Sequence, residues 1–256
     1  MGRKIHPKAR TIKIDSKSNN EFFLIHGYTG SPTDFRDLPL LLNKNFDAVV
    51  YVPRIIGHGT DIRDLDNLTY EDFYRQVENE LKKELKKGRK IVLGGLSLGG
   101  IIALELSSKY PSVGIFTISV PYYMTWPFKL ITFIEPVLPW KYWKKSVSNY
   151  EKQMREGSFH YPYVHSRGLT VVKEFKTNFK NILRNVKVPC MNIHCKYDYL
   201  TNSKSIDFIK ENIGSKIVKN IVYDNKDVHN LFFSKKKDRM FKDIIKFFKD
   251  IDIFEK

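Results

Sequence analysis

Gly95-Leu96-Ser97-Leu98-Gly99 is a stretch of this chain whose residue types and spacing could perform chemistry. A side chain raised on a sharp strand-to-helix turn has crowded neighbours, so the flanking positions must lack a Cβ, and Gly95 and Gly99 meet that need. The residues Lys90 to Leu93 before the motif read as a strand, and Leu98 to Tyr110 after it read as a helix. Gly94 and Gly100 widen the margin. Such a turn sets Ser97 at a helix N-terminus, where free N–H groups and the helix dipole favour a developing oxyanion. The pentapeptide alone also fits a tightly packed crossing with an incidental serine, so its partners decide the matter.

A serine hydroxyl attacks a carbonyl only when a base takes its proton. Downstream of Ser97 the histidines are His160, His165, His194 and His229. His160 and His165 fall in a long segment between two strands, and His194 lies inside a strand, where a structural role is expected. His229 follows the last strand and precedes the terminal helix, so a loop there can bring its imidazole over Ser97. The third member should be a carboxylate on the loop after the preceding strand, in the chain order Ser, Asp, His. Asp198 stands on that loop. Asp224 and Asp227 lie so close to His229 in sequence that they are expected to shape its loop instead. In His26-Gly27-Tyr28-Thr29-Gly30, after the first strand, the N–H of Tyr28 would join that of Leu98 in holding an oxyanion. His26 and His58 are expected to be structural.

Those side chains need a scaffold. Apolar runs at Glu21 to Ile25, Ala48 to Val52, Lys90 to Leu93, Ser112 to Val120, Cys190 to His194 and Lys216 to Tyr223 alternate with helical patterns. The helices are expected at Thr33 to Leu42, Thr69 to Lys87, Leu98 to Tyr110, Ser203 to Ile213 and Asp238 to Asp250. Thr69 and Asp72 have the spacing of a capping box, and Asp34 offers negative charge near a helix start. This alternation predicts an α/β fold, a mostly parallel sheet flanked by helices. It stops between Pro121 and Val186, where Tyr122, Tyr123, Trp126, Phe128, Trp140, Tyr142 and Trp143 form an aromatic segment. The expected organisation is a core of residues 1–120 and 187–256 with a cap inserted at 121–186.

Composition narrows the function classes. In 256 residues, 44 Lys and Arg against 28 Asp and Glu leave a net charge of +16. The basic residues are dispersed in short runs on helical faces, so no nucleic-acid partner is expected and contact with a membrane surface is not favoured. The N-terminus lacks the apolar stretch of a signal peptide, and the most apolar region, near residues 113–128, is broken by Gly114, Pro121 and Pro127. Cys190 and Cys195 lie too far apart on one strand for a disulfide, and alternation puts them on opposite faces, so free thiols in a cytoplasmic protein are expected, with no metal and no cofactor.

The sequence resembles the bacterial carboxylesterases and monoacylglycerol lipases of the α/β-hydrolase superfamily. The likeness runs from about Phe22 to the C-terminus through Leu24-Ile25-His26-Gly27-Tyr28-Thr29-Gly30-Ser31, Pro53 with Gly57-His58-Gly59, the glycine-rich serine motif, Asp198 and His229. It implies an α/β-hydrolase fold with an inserted helical cap, and it assigns the oxyanion amides to Tyr28 and Leu98. The chemistry it implies is hydrolysis of a carboxylic ester through an acyl-enzyme; the aromatic cap suggests a small-molecule ester of short-to-medium acyl or aryl type, a monoacylglycerol among them, and a monomer or homodimer is expected. A thioesterase or small-substrate peptidase would use the same three side chains, and a catalytically idle binding protein could share the scaffold.

Overall fold

Phe22, Phe23, Leu24 and Ile25 are consecutive apolar residues, and a strand built from them must be covered on both faces. The computed structural model, which describes residues 3–126, 128–134, 141–145, 147–226 and 229–255, covers them with two separate cores. Alternate residues diverge: Phe23, Ile25, Ile91, Leu93 and Ile115 enter one core, while Phe22, Leu24, Val92, Phe116 and Ile118 enter the other.

The chain begins with β1 (Ile12–Ile14) and β2 (Asn20–Ile25), followed by a 3-10 turn at Pro32–Phe35 and α1 (Leu38–Phe46). Next come β3 (Val49–Val52), α2 (Tyr70–Leu85), β4 (Lys90–Leu96), α3 (Leu98–Lys109) and β5 (Gly114–Ile118). The segment between β5 and the next sheet strand holds α4 (Phe128–Ile134), β6 (Tyr142–Lys144), α5 (Val147–Arg155), β7 (Tyr163–His165), α6 (Arg167–Glu174) and α7 (Phe179–Asn185). The chain ends with β8 (Cys190–Tyr197), α8 (Lys204–Asn212), β9 (Val218–Lys226) and α9 (Lys237–Asp250).

Among the described residues the strands form a seven-stranded sheet in the order β1-β3-β2-β4-β5-β8-β9. Within this sheet every pairing is parallel except that of β1 with β3. The parallel strands therefore end at one edge, and the loops that leave β2, β4, β8 and β9 gather there. Helix α9 covers one face through Phe241, Ile244 and Phe248, and α2 and α3 cover the other. The capping box at the start of α2 forms as expected: the Thr69 hydroxyl accepts from the Asp72 amide and the Asp72 carboxylate accepts from the Thr69 amide. Among the described residues no helix is long and apolar enough to cross a membrane.

Three expectations are corrected. The sheet has an additional antiparallel edge strand, β1, whose three residues Ile12-Lys13-Ile14, none of them buried, are too few to show a pattern. The helix expected at Thr33 to Leu42 is two elements, because Pro39 is tolerated only in the first turn of a helix and Arg36 adopts φ 54°. The segment between β5 and β8 is not wholly helical, since β6 and β7 pair antiparallel, Tyr142 opposite His165. Trp140 lies outside the described residues. Of the aromatic segment, Tyr122 stacks on Phe208 of α8 with centroids 3.7 Å apart, while Trp126 is 74% exposed.

Candidate active site

Ser97 stands between β4 and α3 with φ 54° and ψ −116°, a backbone conformation that few residues with a Cβ adopt. The turn is pinned from outside, since the Ser97 amide donates to the Ile118 carbonyl at 2.8 Å. A Cβ on Gly99 would collide with the carbonyl group of Ile25, and one on Gly95 with the backbone of Gly99. Both glycines are thus required by close backbone approach. Leu98 is the first residue of α3, so its N–H has no acceptor within the helix.

The loops after β8 and β9 bring Asp198 and His229 to the same place. His229 Nε2 lies 3.0 Å from Ser97 Oγ, and His229 Nδ1 lies 2.8 Å from Asp198 Oδ2. A carboxylate only accepts, so on a neutral imidazole the proton sits on Nδ1, and Nε2 is left to accept from the Ser97 hydroxyl. The Asp198 carboxylate is fully buried, and its Oδ1 accepts from the amides of Leu200 at 2.8 Å and Thr201 at 3.0 Å. Its Oδ2 also accepts from the Thr201 hydroxyl at 2.6 Å. Burial by itself would raise Asp198, but His229 and the Thr201 hydroxyl outweigh it and hold the carboxyl below its ordinary range.

The glycine-rich loop after β2 is held by two histidines. His26 Nδ1 donates to the Gly27 carbonyl and its Nε2 accepts from the Ile55 amide at 3.1 Å. His58 Nδ1 donates to the Ile56 carbonyl, and its Nε2 accepts from the Thr29 amide at 3.0 Å. One nitrogen donates and the other accepts in each ring, so both are neutral, and burial pulls His26 down to about 4 and His58 to about 3. Their structural role matches the sequence reading. They hold Gly27, Tyr28 and Thr29 against the cavity that Ser97, Leu98 and His229 also line.

The remaining candidates fall elsewhere. His194 is buried in β8, with Nε2 3.1 Å from Thr201 Oγ1 and 3.7 Å from Asp198 Oδ2. His165 Nε2 contacts Asp66 at 2.9 Å, and Asp224 is exposed, 4.0 Å from Lys236. Asp227 lies outside the described residues. Asp34, expected to favour a helix dipole, is instead buried, accepting from Ser158 Oγ at 2.7 Å and lying 2.8 Å from His160 Nε2. Sequence reasoning missed this cluster, and a charged residue between Thr33 and Phe35 carries no local signal of it.

The cavity has a volume of about 780 Å³. Met124, Phe128, Trp143, Leu169, Val172 and Leu200 form much of its apolar wall, most of them from the segment between β5 and β8.

A parallel sheet whose fourth-in-line strand ends in a strained serine turn, facing a histidine and a buried aspartate on later strand ends, defines the class of α/β hydrolases. Residues 22–172 match the model of the alpha/beta hydrolase family, and the chain belongs to that family. It is 23% identical over 254 residues to a carboxylesterase of Bacillus subtilis (strain 168), covering 97% of this chain and 98% of that protein. It is 34% identical over 90 residues to a thermostable monoacylglycerol lipase of Bacillus sp. (strain H-257), covering 35% of this chain and 36% of the lipase. A solved structure described under LipS and LipT, two metagenome-derived lipolytic enzymes, superposes with TM-score 0.78 at 20% identity, covering 96% of this chain and 100% of the other. The reaction class that these relatives support is hydrolysis.

Proposed function

We propose that the protein is a serine hydrolase that cleaves carboxylic esters through an acyl-enzyme. The observation that carries the reading is the unbroken relay from Asp198 Oδ2 to His229 Nδ1 at 2.8 Å and from His229 Nε2 to Ser97 Oγ at 3.0 Å. Ser97 attacks the ester carbonyl as His229 takes its proton. The amides of Tyr28 and Leu98 stabilise the oxyanion, and the alcohol leaves with the proton from His229. Water, activated by the same imidazole, then attacks the acyl-enzyme, and the acid departs. Asp198 holds the Nδ1–H tautomer and stabilises the imidazolium.

The substrate is an ester of short-to-medium acyl length, a monoacylglycerol among them. An apolar wall in a cavity of about 780 Å³ supports this, as do the names of the Bacillus relatives. Residues 121–186 act as a cap on a core of 1–120 and 187–256. Phe128 and Trp143 support that division, because they line the same cavity as Ser97. Cys190 and Cys195 are buried and form no disulfide among the described residues, which supports a reducing, cytoplasmic setting.

The test is turnover of p-nitrophenyl octanoate together with labelling by a fluorophosphonate. The native chain should do both, and Ser97→Ala should lose both while keeping its thermal transition. Activity retained in Ser97→Ala refutes the assignment. A panel of matched ester, thioester and amide substrates ranks the scissile bond, with the ester expected to be fastest.

A further inference from the structure

The cavity has two chemically unlike parts. Met124, Phe128, Leu169, Val172 and Leu200 continue the core on the α3 side of the sheet. Lys152, His160 and, through His160, Asp34 gather at Phe233, which belongs to the core on the α9 side, and Lys145 and Gln153 line the same cavity. Ser97 lines the same cavity as both parts.

Most polar groups of the second part are already matched. Lys152 Nζ donates to the Phe233 carbonyl at 2.7 Å. Asp34 is engaged by Ser158 and His160. Lys145 and Gln153 are different. The Lys145 backbone amide donates to the Pro162 carbonyl at 2.9 Å, which fixes the residue, but its ammonium has no ion-pair or hydrogen-bond partner among the described residues. Burial pulls it down to about 8, and the more distant Asp34 works the other way, so at neutral pH it keeps its proton. Gln153 Oε1 is buried and also has no partner among the described residues. A partly buried ammonium without an anion and a buried acceptor without a donor both cost free energy, and a ligand that supplies the two groups removes both penalties.

We propose that this cavity takes an ester that is apolar on one side of the scissile bond and anionic on the other, Lys145 pairing with the anion and Gln153 accepting from a neighbouring hydroxyl. The anion is a phosphate or a carboxylate. For the reaction, this rests on the hydrolase reading of Ser97; for the binding of the anion, it stands on the cavity alone. A net charge of +16, unexplained by an ordinary neutral ester, draws such substrates toward the protein.

Calorimetric titration of the Ser97→Ala chain, which binds without turnover, tests the idea. The ligands are 1-octanoylglycerol 3-phosphate, with its anion on the alcohol, monooctyl succinate, with its anion on the acid, and neutral 1-octanoylglycerol. At least one anionic ester should bind about tenfold or more tighter than the neutral one. Lys145→Met should erase that preference, and Lys145→Arg should keep it. A preference in the first arm alone assigns a phosphate on the alcohol side, and one in the second alone assigns a carboxylate on the acyl side. Should Lys145→Met lose its thermal transition, Lys145→Gln takes its place. Equal binding of neutral and anionic esters overturns the proposal, as does a preference that survives in a folded Lys145→Met chain. Because these titrations use a chain without Ser97, a native chain that binds as expected and hydrolyses nothing overturns the proposed function and leaves the anion site standing.

Discussion

The hydroxyl of Ser119, just past the end of β5, donates to the backbone carbonyl of His229 at 2.8 Å, across 110 residues of sequence. Ser119 itself sits at φ 53° with its amide bonded to the Ile193 carbonyl at 2.9 Å. The strand beside the serine turn thus sets the height of the loop that carries the imidazole. Ser119→Ala should lower kcat on p-nitrophenyl octanoate about 10- to 100-fold with a smaller change in KM. Its cost in stability should be only about 1 kcal/mol, the worth of one hydrogen bond. An unchanged kcat in a folded variant would show that the loop is held by other means.

Asp198 accepts from two amides, a hydroxyl and His229, and only the contact with His229 determines which imidazole nitrogen carries the proton. Asparagine at this position keeps the shape and can offer its N–H to Nδ1, which moves the imidazole proton to Nε2 and leaves Ser97 without a base. Asp198→Asn should therefore reduce kcat about a thousand- to ten-thousandfold, with ester binding to the inactive chain largely retained. Steady-state kinetics beside a binding titration separates the two effects. A loss below tenfold would mean that the Asp198 contact does not govern the tautomer.

His26 and His58 are neutral in the fold, depressed by burial to about 4 and about 3 from an ordinary value of 6.5. Once unfolded, each takes up a proton below about pH 6.5, so beneath that value the unfolded chain binds more protons and stability falls as the pH falls. The loss runs from about pH 6.5 down to the folded values and approaches roughly 1.4 kcal/mol per pH unit for each ring. Above about pH 6.5 neither ring contributes. Urea unfolding between about pH 6 and about pH 4.5 should show a shallower slope in His58→Asn than in the native chain. Identical slopes would contradict the assignment of His58 as a buried neutral ring.

Gly99 is in the first turn of α3, where alanine would ordinarily gain a few tenths to about 1 kcal/mol of helix propensity. Here a Cβ meets the Ile25 carbonyl group and the His26 carbonyl oxygen, backbone atoms that cannot swing away. Steric overlap should win, and Gly99→Ala should destabilise the protein by about 2–3 kcal/mol. Thermal denaturation of the variant reads the sign directly. A gain in stability would mean that the helix and β2 are not packed as closely as described.

Local features of this chain are written in local sequence. Gly95 and Gly99 announce a crowded turn because the crowding acts on the residues beside Ser97, and the apolar runs announce strands covered on both faces because periodicity is a property of neighbours. Asp198 and His229 were legible for a related reason: parallel strands end at one edge, so the loops after β8 and β9 meet near the turn after β4 wherever the sheet order allows it. The tertiary structure decided the rest. Three residues at Ile12–Ile14 become a strand only because β3 offers them an edge, and Asp34 is buried only because Ser158 and His160 arrive from more than a hundred residues away. The place of Lys145 in the cavity wall belongs to the same kind. Contacts between distant segments depend on how loops close over one another, and no spacing along the chain encodes that closure.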